Sequence, residues 1–432
     1  MKRKIMDDLI TWKNKQSGRS PLLLSGIRQV GKTSLLYDFG KNYYRNVAYF
    51  NLDSGRAAAL CFTVSNDPKH ILDLLKTECG EQIIPGETLI ILDNIQSCSH
   101  ALASLINFKK SAPEFHIIGT GSLIDVICNR ELYTFTAGNT EVMTLFPLDF
   151  EEFLWALGEE DLCISVRKAF ETGKAMPAAL HIKALDLFKR YLVTGGMPGA
   201  VQKYLETNDL AAVPDVQRRI SNDCIADISR YALKKERAKA LAVYESVPLQ
   251  LQRKNMKFQY KPVQTGGTAA VFDTSVEWLC STGAVLKCNR LEHAHKPIPA
   301  YRDHSSFKLF LSDVGLLTMQ SGVSYQAVLR EDEGAGIQTG HLYENYVAQA
   351  LAGKQYDLFY WTSEGIAEVS FVLRKKADII PVEVRSGSRH KARSLNLFMA
   401  RYKPAYSIRI STKNFSSKNN TRHIPFYAVF CI

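Results

Sequence analysis

One short segment constrains the fold of this chain more than any other: residues 26–33 have the sequence GIRQVGKT. The apolar residues 21–25 before it predict a strand, and residues 34–39 after it have the periodicity of a helix. The glycines permit a tight loop whose backbone N–H groups point inward, at the positive end of a helix dipole. A strand, such a loop and a helix in this order predict a phosphate-binding site in an α/β sheet.

The loop residues have predicted roles that follow from their chemistry. The residues predicted to bind the phosphates of a nucleotide are Gly26, Arg28, Gln29, Val30, Gly31, Lys32, Thr33 and Ser34. The Lys32 ammonium would reach the β- and γ-phosphates, and the Thr33 hydroxyl would ligate Mg²⁺. Because the chain lacks the Asn/Thr-Lys-x-Asp string of guanine sites, adenine is the predicted base. We therefore expect ATP and Mg²⁺ as cofactors.

A second segment, LIILDNIQ at residues 89–96, has an apolar strand pattern that ends in a carboxylate. With the phosphate loop upstream, Asp93 is predicted as a second ligand of the Mg²⁺; a helix N-cap is the alternative role. The next residue, an acid in most working ATPases, is Asn94, whose amide cannot accept a proton from water. Loss of a positioned base lowers a rate by about 10²–10⁴-fold, so we predict binding with slow hydrolysis.

A third predicted strand, residues 115–122, ends in small polar residues. Thr120 and Ser122 are candidate sensors of the γ-phosphate, and plain turn residues are the alternative.

The composition is that of a soluble globular protein with several domains. The chain has 432 residues, 46% of them hydrophobic and 22% charged, and this length predicts two to four domains. No apolar run is long enough to span a membrane, and the charged N-terminus lacks the core of a signal peptide. The nine cysteines form no CxxC pair, which disfavours a zinc or disulfide framework. We expect a cytoplasmic protein without a membrane partner.

The net charge of +11 is concentrated near the C-terminal end. No Asp or Glu occurs from residue 384 to residue 432. The cations of this segment are Arg385, Arg389, Lys391, Arg393, Arg401, Lys403, Arg409, Lys413, Lys418 and Arg422. Such a surface attracts nucleic acid or acidic partners, and a solvated basic face that maintains solubility explains it equally well.

Residues 239–317 have a helix and strand pattern that predicts a winged helix. Residues 269–291 predict a helix capped at Gly283 and then a strand, and residues 307–317 predict a strand with alternate side chains pointing inward. The approach to the second helix is basic and lacks acids, with the cations Arg253, Lys254, Lys257 and Lys261. DNA binding and packing against neighbouring domains are both open for such a domain.

Several strings together carry a resemblance to a known family. They are GIRQVGKTSLL, LIILDNIQ, GTGSLIDV, LFPLDFEEFL, YLVTGGMPGAVQKYL, YENYVAQAL, LFYWTSEGIAEVSFV and IPVEVRSG. In these strings the chain resembles AAA-superfamily ATPases of the archaeal-ATPase-like clade. The resemblance implies an α/β fold with a P-loop NTPase (AAA-like) parallel-sheet core, a helical segment, a winged-helix-like domain and a C-terminal α/β domain similar to the PD-(D/E)xK restriction-endonuclease fold. The implied domain ranges are 1–160, 161–235, 236–325 and 326–432.

The chain departs from the family pattern beside the expected nucleotide. Where the family tends to have LDEIQ, Asn94 replaces the glutamate. Family members often carry a basic residue near Gly138 that would touch the γ-phosphate; here the residue is Asn139, and Arg130 is a candidate nearby. A neighbouring subunit is another source of an arginine, so a homo-oligomer is among the expected partners. The GGMP turn at residues 195–198 lies near the nucleotide in this family, and either a relay of its state or a plain helical corner explains it.

The C-terminal strings contain a second set of candidate residues. The string HLYENYVAQAL predicts an amphipathic helix that carries Glu344, and segments around residues 368–373 and 379–384 predict a β-hairpin. Active enzymes of the endonuclease-like fold bind Mg²⁺ with an Asp on the first strand and an ExK string on the second. The resemblance assigns these positions to Ser370, Glu383 and Arg385.

This endonuclease-like site is predicted to be degenerate. Serine is a weak Mg²⁺ ligand, and arginine stays protonated and cannot act as a base. Glu368 is two residues from Ser370 and faces the same side of an extended strand. The predicted degenerate site comprises Glu344, Glu368, Ser370, Glu383 and Arg385. We expect it to bind a nucleic-acid backbone and not to cut it.

The predicted function is that of an AAA-like protein that binds ATP–Mg²⁺ and has weak or partner-dependent ATPase activity. Its C-terminal domains are expected to bind nucleic acid or a protein partner. Three alternatives stay open: an ATPase completed by a neighbouring subunit, an ATP-switched metal-dependent nuclease, and a scaffold with a vestigial nucleotide site.

Overall fold

The computed structural model describes residues 1–80, 82–122, 138–330, 339–363, 367–375, 378–385 and 393–432. The chain divides into two compact units. We call Lys2–Phe146 with Ser281–Gly283 the N-terminal unit, and Met1 with Pro147–Cys280 and Ala284–Ile432 the C-terminal unit. None of the described helices has both the length and the apolar character needed to cross a membrane.

The N-terminal unit is built around a five-stranded sheet. Its strands are β1 (Leu22–Ser25), β2 (Asn46–Asn51), β3 (Thr88–Asp93), β4 (His116–Thr120) and β5 (Glu141–Thr144). Its described helices are α1 (Ile5–Lys13), α2 (Lys32–Tyr43), α3 (Arg56–Val64), α4 (Pro68–Cys79) and α5 (Ser99–Ser111), with a 3₁₀ turn at Ile95–Ser97. The strand order is β2-β3-β4-β1-β5, and the recorded pairings are parallel.

This parallel order confirms the predicted α/β core. Strands β1, β3 and β4 are buried along their whole length, as expected for short apolar strands inside a parallel sheet. The strand and helix predicted on either side of residues 26–33 are β1 and α2, and the strand predicted to end at Asp93 is β3. The third predicted strand ends earlier than expected, at Thr120.

The C-terminal unit begins with helices. They are α6 (Phe150–Ala156), α7 (Glu160–Thr172), α8 (Ala178–Thr194), α9 (Pro198–Thr207), α10 (Val213–Tyr231), α11 (Arg237–Leu251) and α12 (Ala269–Ser281), with a 3₁₀ turn at Leu210–Ala212. Later helices are α13 (Val314–Gln320), α14 (Tyr325–Leu329), α15 (Gly340–Gly353) and α16 (Arg393–Tyr402), with 3₁₀ turns at Ile298–Tyr301 and Phe426–Cys431. The segment predicted to be helical, residues 161–235, is formed mainly by α7 to α10.

Two mixed sheets complete the C-terminal unit. The strands are β6 (Val285–Leu291), β7 (Arg302–Leu311), β8 (Phe359–Ser363), β9 (Ala367–Val369), β10 (Phe371–Lys375), β11 (Asp378–Val384), β12 (Ser407–Ser411), β13 (Ser416–Lys418) and β14 (Thr421–Pro425). One sheet has the order β7-β6-β8-β9, and the other has the order β10-β11-β12-β14-β13. Because β6 pairs with β8, the first sheet joins strands from either side of the predicted boundary at residues 325 and 326. The four predicted domain ranges stay a prediction, as do the winged-helix-like and endonuclease-like folds.

The order of helix and strand around Gly283 is as predicted, since α12 is followed by β6 and Gly283 has a φ of 71°. The prediction of an alternating strand over residues 307–317 is wrong in two ways: residues 306–311 are buried without a break, and the strand ends at Leu311, so that residues 314–317 belong to helix α13. The sheet is covered on both faces here, so a strand of this kind need not alternate.

Two further predictions about the C-terminal unit are corrected. Helix α15 is not amphipathic, because residues 341–351 are all buried; it is an interior helix with polar groups that find partners inside the protein. The hairpin is formed by β10 and β11, and its first strand begins after Ser370. Residues 367–369 belong instead to β9, which pairs with β8 in the other sheet.

Candidate functional site

The loop between β1 and α2 has the backbone conformation that a phosphate cradle needs. Gly26, Gln29 and Gly31 have φ values of 149°, 62° and 95°. A Cβ on Gly26 would lie 2.4 Å from the carbonyl oxygen of Leu145, so glycine is required there by space as well as by conformation. Left-handed residues among right-handed ones turn successive N–H groups toward one concave side, which is an arrangement that binds anions.

Lys32 begins helix α2 and its side chain folds back over the loop. The ammonium donates hydrogen bonds to the carbonyl oxygens of Gly26, at 2.8 Å, and Ile27, at 3.0 Å. The side chain is buried, whereas Arg28, Gln29 and Ser34 in the same loop are exposed. An ammonium at the start of α2, folded over the loop, lies where a charge-assisted hydrogen bond to an anionic phosphate can form.

Asp93 lies at the C-terminal end of β3 and is the centre of a polar cluster. Its Oδ2 accepts hydrogen bonds from the Thr33 hydroxyl at 2.9 Å and from the Tyr49 hydroxyl at 2.8 Å. Its Oδ1 accepts from the backbone N–H of Asn94 at 2.9 Å. The sequence prediction that Thr33 and Asp93 meet therefore agrees with the geometry, and the contacts of the carboxylate are not those of a helix N-cap.

Tyr49, on β2, is a member of this cluster that sequence reasoning missed. Burial and the hydrogen bond to Asp93 raise the pKa of the Tyr49 phenol above its usual value. The phenol therefore stays protonated and donates to the carboxylate. The ring of Tyr37, on α2, lies 5.1 Å from that of Tyr49, centroid to centroid. A tyrosine in an otherwise apolar strand is the signal in the sequence that its hydroxyl needs a buried partner.

Asn94 has a left-handed backbone, with a φ of 54°. Asparagine tolerates this conformation better than most residues, which gives a structural reason for its presence. Its amide nitrogen donates to Asn51 Oδ1 at 3.5 Å, and its Oδ1 accepts from the Gln96 amide at 3.4 Å. A Cβ on Gly121 would lie 1.9 Å from Gln96 Oε1, so the glycine after β4 makes room for this amide network.

Two further residues, Thr120 and Arg130, were predicted to lie near the γ-phosphate. The Thr120 side chain is fully buried, and its hydroxyl donates to the carbonyl oxygen of Leu24 at 3.1 Å. Thr120 lies beside Asp93 in the register of β3 and β4, at the same edge of the sheet. Arg130 lies outside the described residues. Its predicted role, and that of Thr120 as a sensor, stay predictions.

These residues fit ATP and Mg²⁺. The loop has the space and the positive φ angles of a phosphate cradle, and Lys32 supplies a cation. Thr33 and Asp93 supply the neutral and anionic oxygen ligands that Mg²⁺ prefers, and their oxygens already lie 2.9 Å apart.

A known family matches the part of the chain that contains these residues. Residues 18–154 match the family model of an AAA domain. The chain contains an AAA-type P-loop ATPase domain. The matched residues begin before β1 and end in α6, so they include every part of the site described above.

The C-terminal unit matches two families without an assigned function. Residues 185–327 match one domain of unknown function, and residues 339–429 match another. A search of curated proteins found no significant match to the chain. The resemblance of the C-terminal domain to an endonuclease therefore has no support from these comparisons.

Several solved structures are similar to the chain. A Walker-type ATPase of Pyrococcus abyssi is 15% identical, with a TM-score of 0.46, and the match covers 74% of this chain and 95% of that one. The ORC2 protein of Aeropyrum pernix is 12% identical, with a TM-score of 0.36 and coverage of 79% and 93%. DnaA of Aquifex aeolicus is 13% identical, with a TM-score of 0.28 and coverage of 63% and 85%. Likeness at this level does not extend to activity or partners.

The residues predicted as one degenerate nuclease-like site are held by two different sets of cations. Glu344 and Glu368 both bind the ammonium of Lys308, at 2.7 and 2.6 Å. Lys308 lies on β7 and is fully buried, and its ammonium also lies 5.0 Å from the ring centroid of Tyr360. Although burial opposes the charged form, the two carboxylates raise the pKa of Lys308 above its usual range. A lysine inside the apolar string FKLFL was the sequence signal for this buried ion pair, and the prediction missed it.

Glu383 belongs to a second cluster. Its Oε2 lies 2.7 Å from Nε of Arg409 and 3.0 Å from Nε of Arg385. Ser370 accepts a hydrogen bond from the backbone N–H of Val384 at 3.2 Å, so its hydroxyl supports the start of the hairpin. Among the residues that the structure describes, no group of three His, Cys, Asp or Glu side chains is arranged to hold a metal ion.

The GGMP turn packs against an aspartate in the same unit. The N–H of Gly196 donates to Asp313 Oδ2 at 2.6 Å, and the N–H of Leu316 donates to Oδ1 at 2.9 Å. A Cβ on Gly195 would lie 2.3 Å from Asp313 Oδ1, which explains the glycine. Burial raises the pKa of Asp313 to about 6, against the effect of these backbone donors. The geometry accounts for the turn as a corner that receives a buried carboxyl group.

Proposed function

We propose that the chain binds ATP–Mg²⁺ through its AAA domain and hydrolyses it slowly or only with a partner. The observation that carries this proposal is the 2.9 Å hydrogen bond between the Thr33 hydroxyl and the Asp93 carboxylate. Two oxygen ligands from distant parts of the chain meet at the start of α2, where Lys32 covers the phosphate loop. Charge, conformation and ligand chemistry at this edge of the sheet all suit a nucleotide phosphate with its cation.

The residues of the chain have separate tasks in this proposal. The loop N–H groups and Lys32 bind and orient the phosphates, and Thr33 and Asp93 hold the cation. Bound Mg²⁺ would neutralise charge that develops on the phosphates. Tyr49 keeps its proton and fixes the Asp93 carboxylate in position. Asn94 is held in an amide network and has no group that takes a proton from water at neutral pH.

The first experiment measures ATP binding. Lys32→Ala should lower the affinity for a fluorescent ATP analogue by more than about a hundredfold, because hydrogen bonds to charged groups contribute about 1.5–3 kcal/mol each. Lys41→Ala is the matched control, since Lys41 lies on the same helix and is exposed. Equal affinity in the wild type and in Lys32→Ala would overturn the assigned site and favour a scaffold with a vestigial one.

The second experiment measures hydrolysis. Turnover by the wild type should lie far below the usual enzymatic range of about 1–10³ s⁻¹. Asn94→Glu should raise it by restoring a carboxylate beside Asp93. Because a side chain larger than Asn is strained at a φ of 54°, Asn94→Gln is the control that carries similar strain without a carboxylate. Brisk wild-type turnover that neither variant changes would show that Asn94 does not limit the rate.

An ATPase completed by a neighbouring subunit is the second candidate for this site. The observation that favours it is the absence, among the described groups that contact Asp93 and Asn94, of an arginine or an acidic general base. A neighbour could supply an arginine to the γ-phosphate. In that case turnover per chain should rise with protein concentration as subunits associate, whereas a self-contained slow ATPase should have a constant turnover.

For the C-terminal unit we propose a binding role for nucleic acid or a protein partner. Each of the predicted nuclease-like acids is bound by a cation of the chain: Lys308 pairs with Glu344 and Glu368, and Arg409 pairs with Glu383. Carboxylates that are already paired are poor ligands for an additional divalent ion, which supports a role in binding over one in cleavage. Incubation with DNA and RNA in Mg²⁺ and in Mn²⁺ tests it, and cleavage that is lost in Glu383→Ala would contradict it.

A further inference from the structure

A cleft of about 770 Å³ opens in the C-terminal unit beside the four-stranded sheet. It is larger than a single phosphate group and within the range of ligand sites in proteins. The lining side chains that matter here are Lys254, Lys257, Arg290, Thr362, Glu368 and Ser394. The two lysines follow helix α11, and the other residues belong to the sheet or to the start of α16.

The sheet presents one polar face to this cleft. Arg290 on β6 lies opposite Tyr360 on β8 in the register, and Thr362 on β8 lies opposite Glu368 on β9. Because side chains alternate along a strand, Tyr360 and Thr362 point to the same side of the sheet. Arg290 and Glu368, which lie opposite them in the register, point to that side as well. Neighbouring strands therefore bring an arginine, a tyrosine, a threonine and a glutamate together on one surface.

The charges on this surface leave an excess of positive charge. Arg290 is bound to Asp303 at 2.7 Å, and Lys308 is shared by Glu368, at 2.6 Å, and Glu344, at 2.7 Å. These five groups have a net charge of −1 (two cations and three carboxylates), and Lys254 and Lys257 add +2. Lys254 is exposed and Lys257 is half-buried, and neither has an ion pair with any residue that the structure describes. The two lysines are thus the cations of the cleft that stay available to a ligand.

We propose that this cleft binds the phosphodiester backbone of a nucleic-acid strand. The proposal rests on the binding role proposed above for the C-terminal unit and names its site. The lysines supply the charge that phosphate groups require, and the hydroxyls of Thr362 and Ser394 supply neutral donors. The cations Arg253 and Lys261 flank the same segment in the sequence and are exposed, so this segment is positively charged beyond the two lysines.

The test uses the full-length protein and labelled oligonucleotides of about 20 residues, as single and double strands of DNA and of RNA. Fluorescence anisotropy is measured as the salt concentration is raised. The variant Lys254→Ala/Lys257→Ala removes two charges from the cleft. The control Lys168→Ala/Lys174→Ala removes two charges from exposed lysines of the same unit that do not line the cleft.

Each phosphate that a lysine neutralises contributes about −0.9 to the slope of log affinity against log salt for a duplex and about −0.7 for a single strand. Loss of two such contacts should weaken binding by about 25- to 60-fold at 0.1 M salt and make the slope less steep by about 1.4 to 1.8. The control variant should lose much less affinity. Thermal unfolding of both variants should match the wild type, because lysines at the surface without an ion pair contribute little to stability.

The outcomes separate this site from the wider proposal. If the wild type binds no oligonucleotide at low salt, the nucleic-acid role itself fails. If the wild type binds and the cleft variant binds equally well, the role stands and this site is wrong. Equal losses in the cleft and control variants would mean diffuse attraction to the basic surface. Displacement of the oligonucleotide by AMP at the same phosphate concentration would assign the cleft to a small phosphate ligand instead of a polymer.

Discussion

The AAA domain has a polar site formed by the phosphate loop and Asp93, and the C-terminal unit has one formed by Lys308, Glu344 and Glu368. Both lie on sheets, but the sequence predicted more of the geometry of the first site than of the second. In the AAA domain, a single string of the sequence forms the loop, and Lys32 and Thr33 lie where the string predicts them. In the C-terminal unit, the acids predicted as one site are held by separate cations, Lys308 for two of them and Arg409 for the third. Local backbone geometry decides the phosphate loop of the first site, and long-range packing decides the second site.

The contrast arises from what each site requires. A phosphate loop needs backbone N–H groups, tight turns and a helix terminus, which neighbouring residues provide whatever else the chain does. A buried carboxylate needs a partner charge, and that partner comes from whichever element packs against it. Glu344 is 36 residues from Lys308, and Glu368 is 60 residues from it. No short string contains such a pair.

The largest effect is expected at Lys308. Lys308→Met should lower the free energy of unfolding of the C-terminal unit by about 3–5 kcal/mol, because two carboxylates would lose their buried partner. Calorimetry and urea unfolding measure it. Lys183→Ala breaks an exposed pair with Glu159 and should cost at most about 1 kcal/mol. The triple variant Lys308→Met/Glu344→Gln/Glu368→Gln should recover part of the loss. Equal stability of Lys308→Met and Lys183→Ala would contradict the assigned ion pair.

The next effect concerns pH. Burial raises the pKa of Asp313 from 3.8 to about 6, so the folded protein retains this proton at a pH where the unfolded chain releases it. The stabilisation is complete below about pH 4 and is lost as the pH rises through about 6, a loss of up to about 3 kcal/mol. In Asp313→Asn this part of the pH dependence should disappear. Unfolding curves at pH 4, 5, 6 and 7 test it, and parallel profiles for both proteins would exclude Asp313 as the source.

A smaller effect is expected at the cation site. Asp93→Asn keeps the size of the side chain but removes the charge that pairs with Mg²⁺. ATP affinity in Mg²⁺ should fall by about tenfold, or about 1.4 kcal/mol, while affinity in EDTA should change little. Thr33→Ala should likewise lower ATP affinity in Mg²⁺ and not in EDTA, since the Thr33 hydroxyl donates a hydrogen bond to Asp93 at this position. A loss of equal size in Mg²⁺ and in EDTA would mean that Asp93 supports the loop and not the cation.

The smallest effect is expected at Ser370, where a change in stability without a change in ligand binding would indicate a structural role. Ser370→Ala removes the acceptor of the Val384 N–H and should lower stability by about 0.5–1.5 kcal/mol. ATP affinity and oligonucleotide affinity should stay at wild-type values. The restoring variant Ser370→Asp/Arg385→Lys should still fail to cut DNA, because Glu344 and Glu368 stay bound to Lys308. Cleavage by that variant would mean that Glu344 and Glu368 can exchange Lys308 for a metal ion.

Several parts of this molecule were predictable because they depend on residues close together in the chain. The order of β1, the phosphate loop and α2 follows from an apolar run, two glycines and a helical pattern. The approach of Asp93 to Thr33 was also predictable, because carboxyl ends of parallel strands meet at one edge of a sheet. The sequence alone also located Gly283 as a helix end, since left-handed backbone favours glycine.

Only the tertiary structure decided which polar groups are paired. The sequence suggested an alternating strand at residues 307–317 and an amphipathic helix around Glu344. The strand ends at Leu311, its residues 306–311 and the helix residues 341–351 are buried, and Lys308 lies inside the protein. The sequence did not identify Asp93 as the acceptor of the Tyr49 hydroxyl, or the GGMP turn as a donor to Asp313. The physical reason is that a buried charge is stable only beside its partner, and the partner is brought there by folding and not by its place in the sequence.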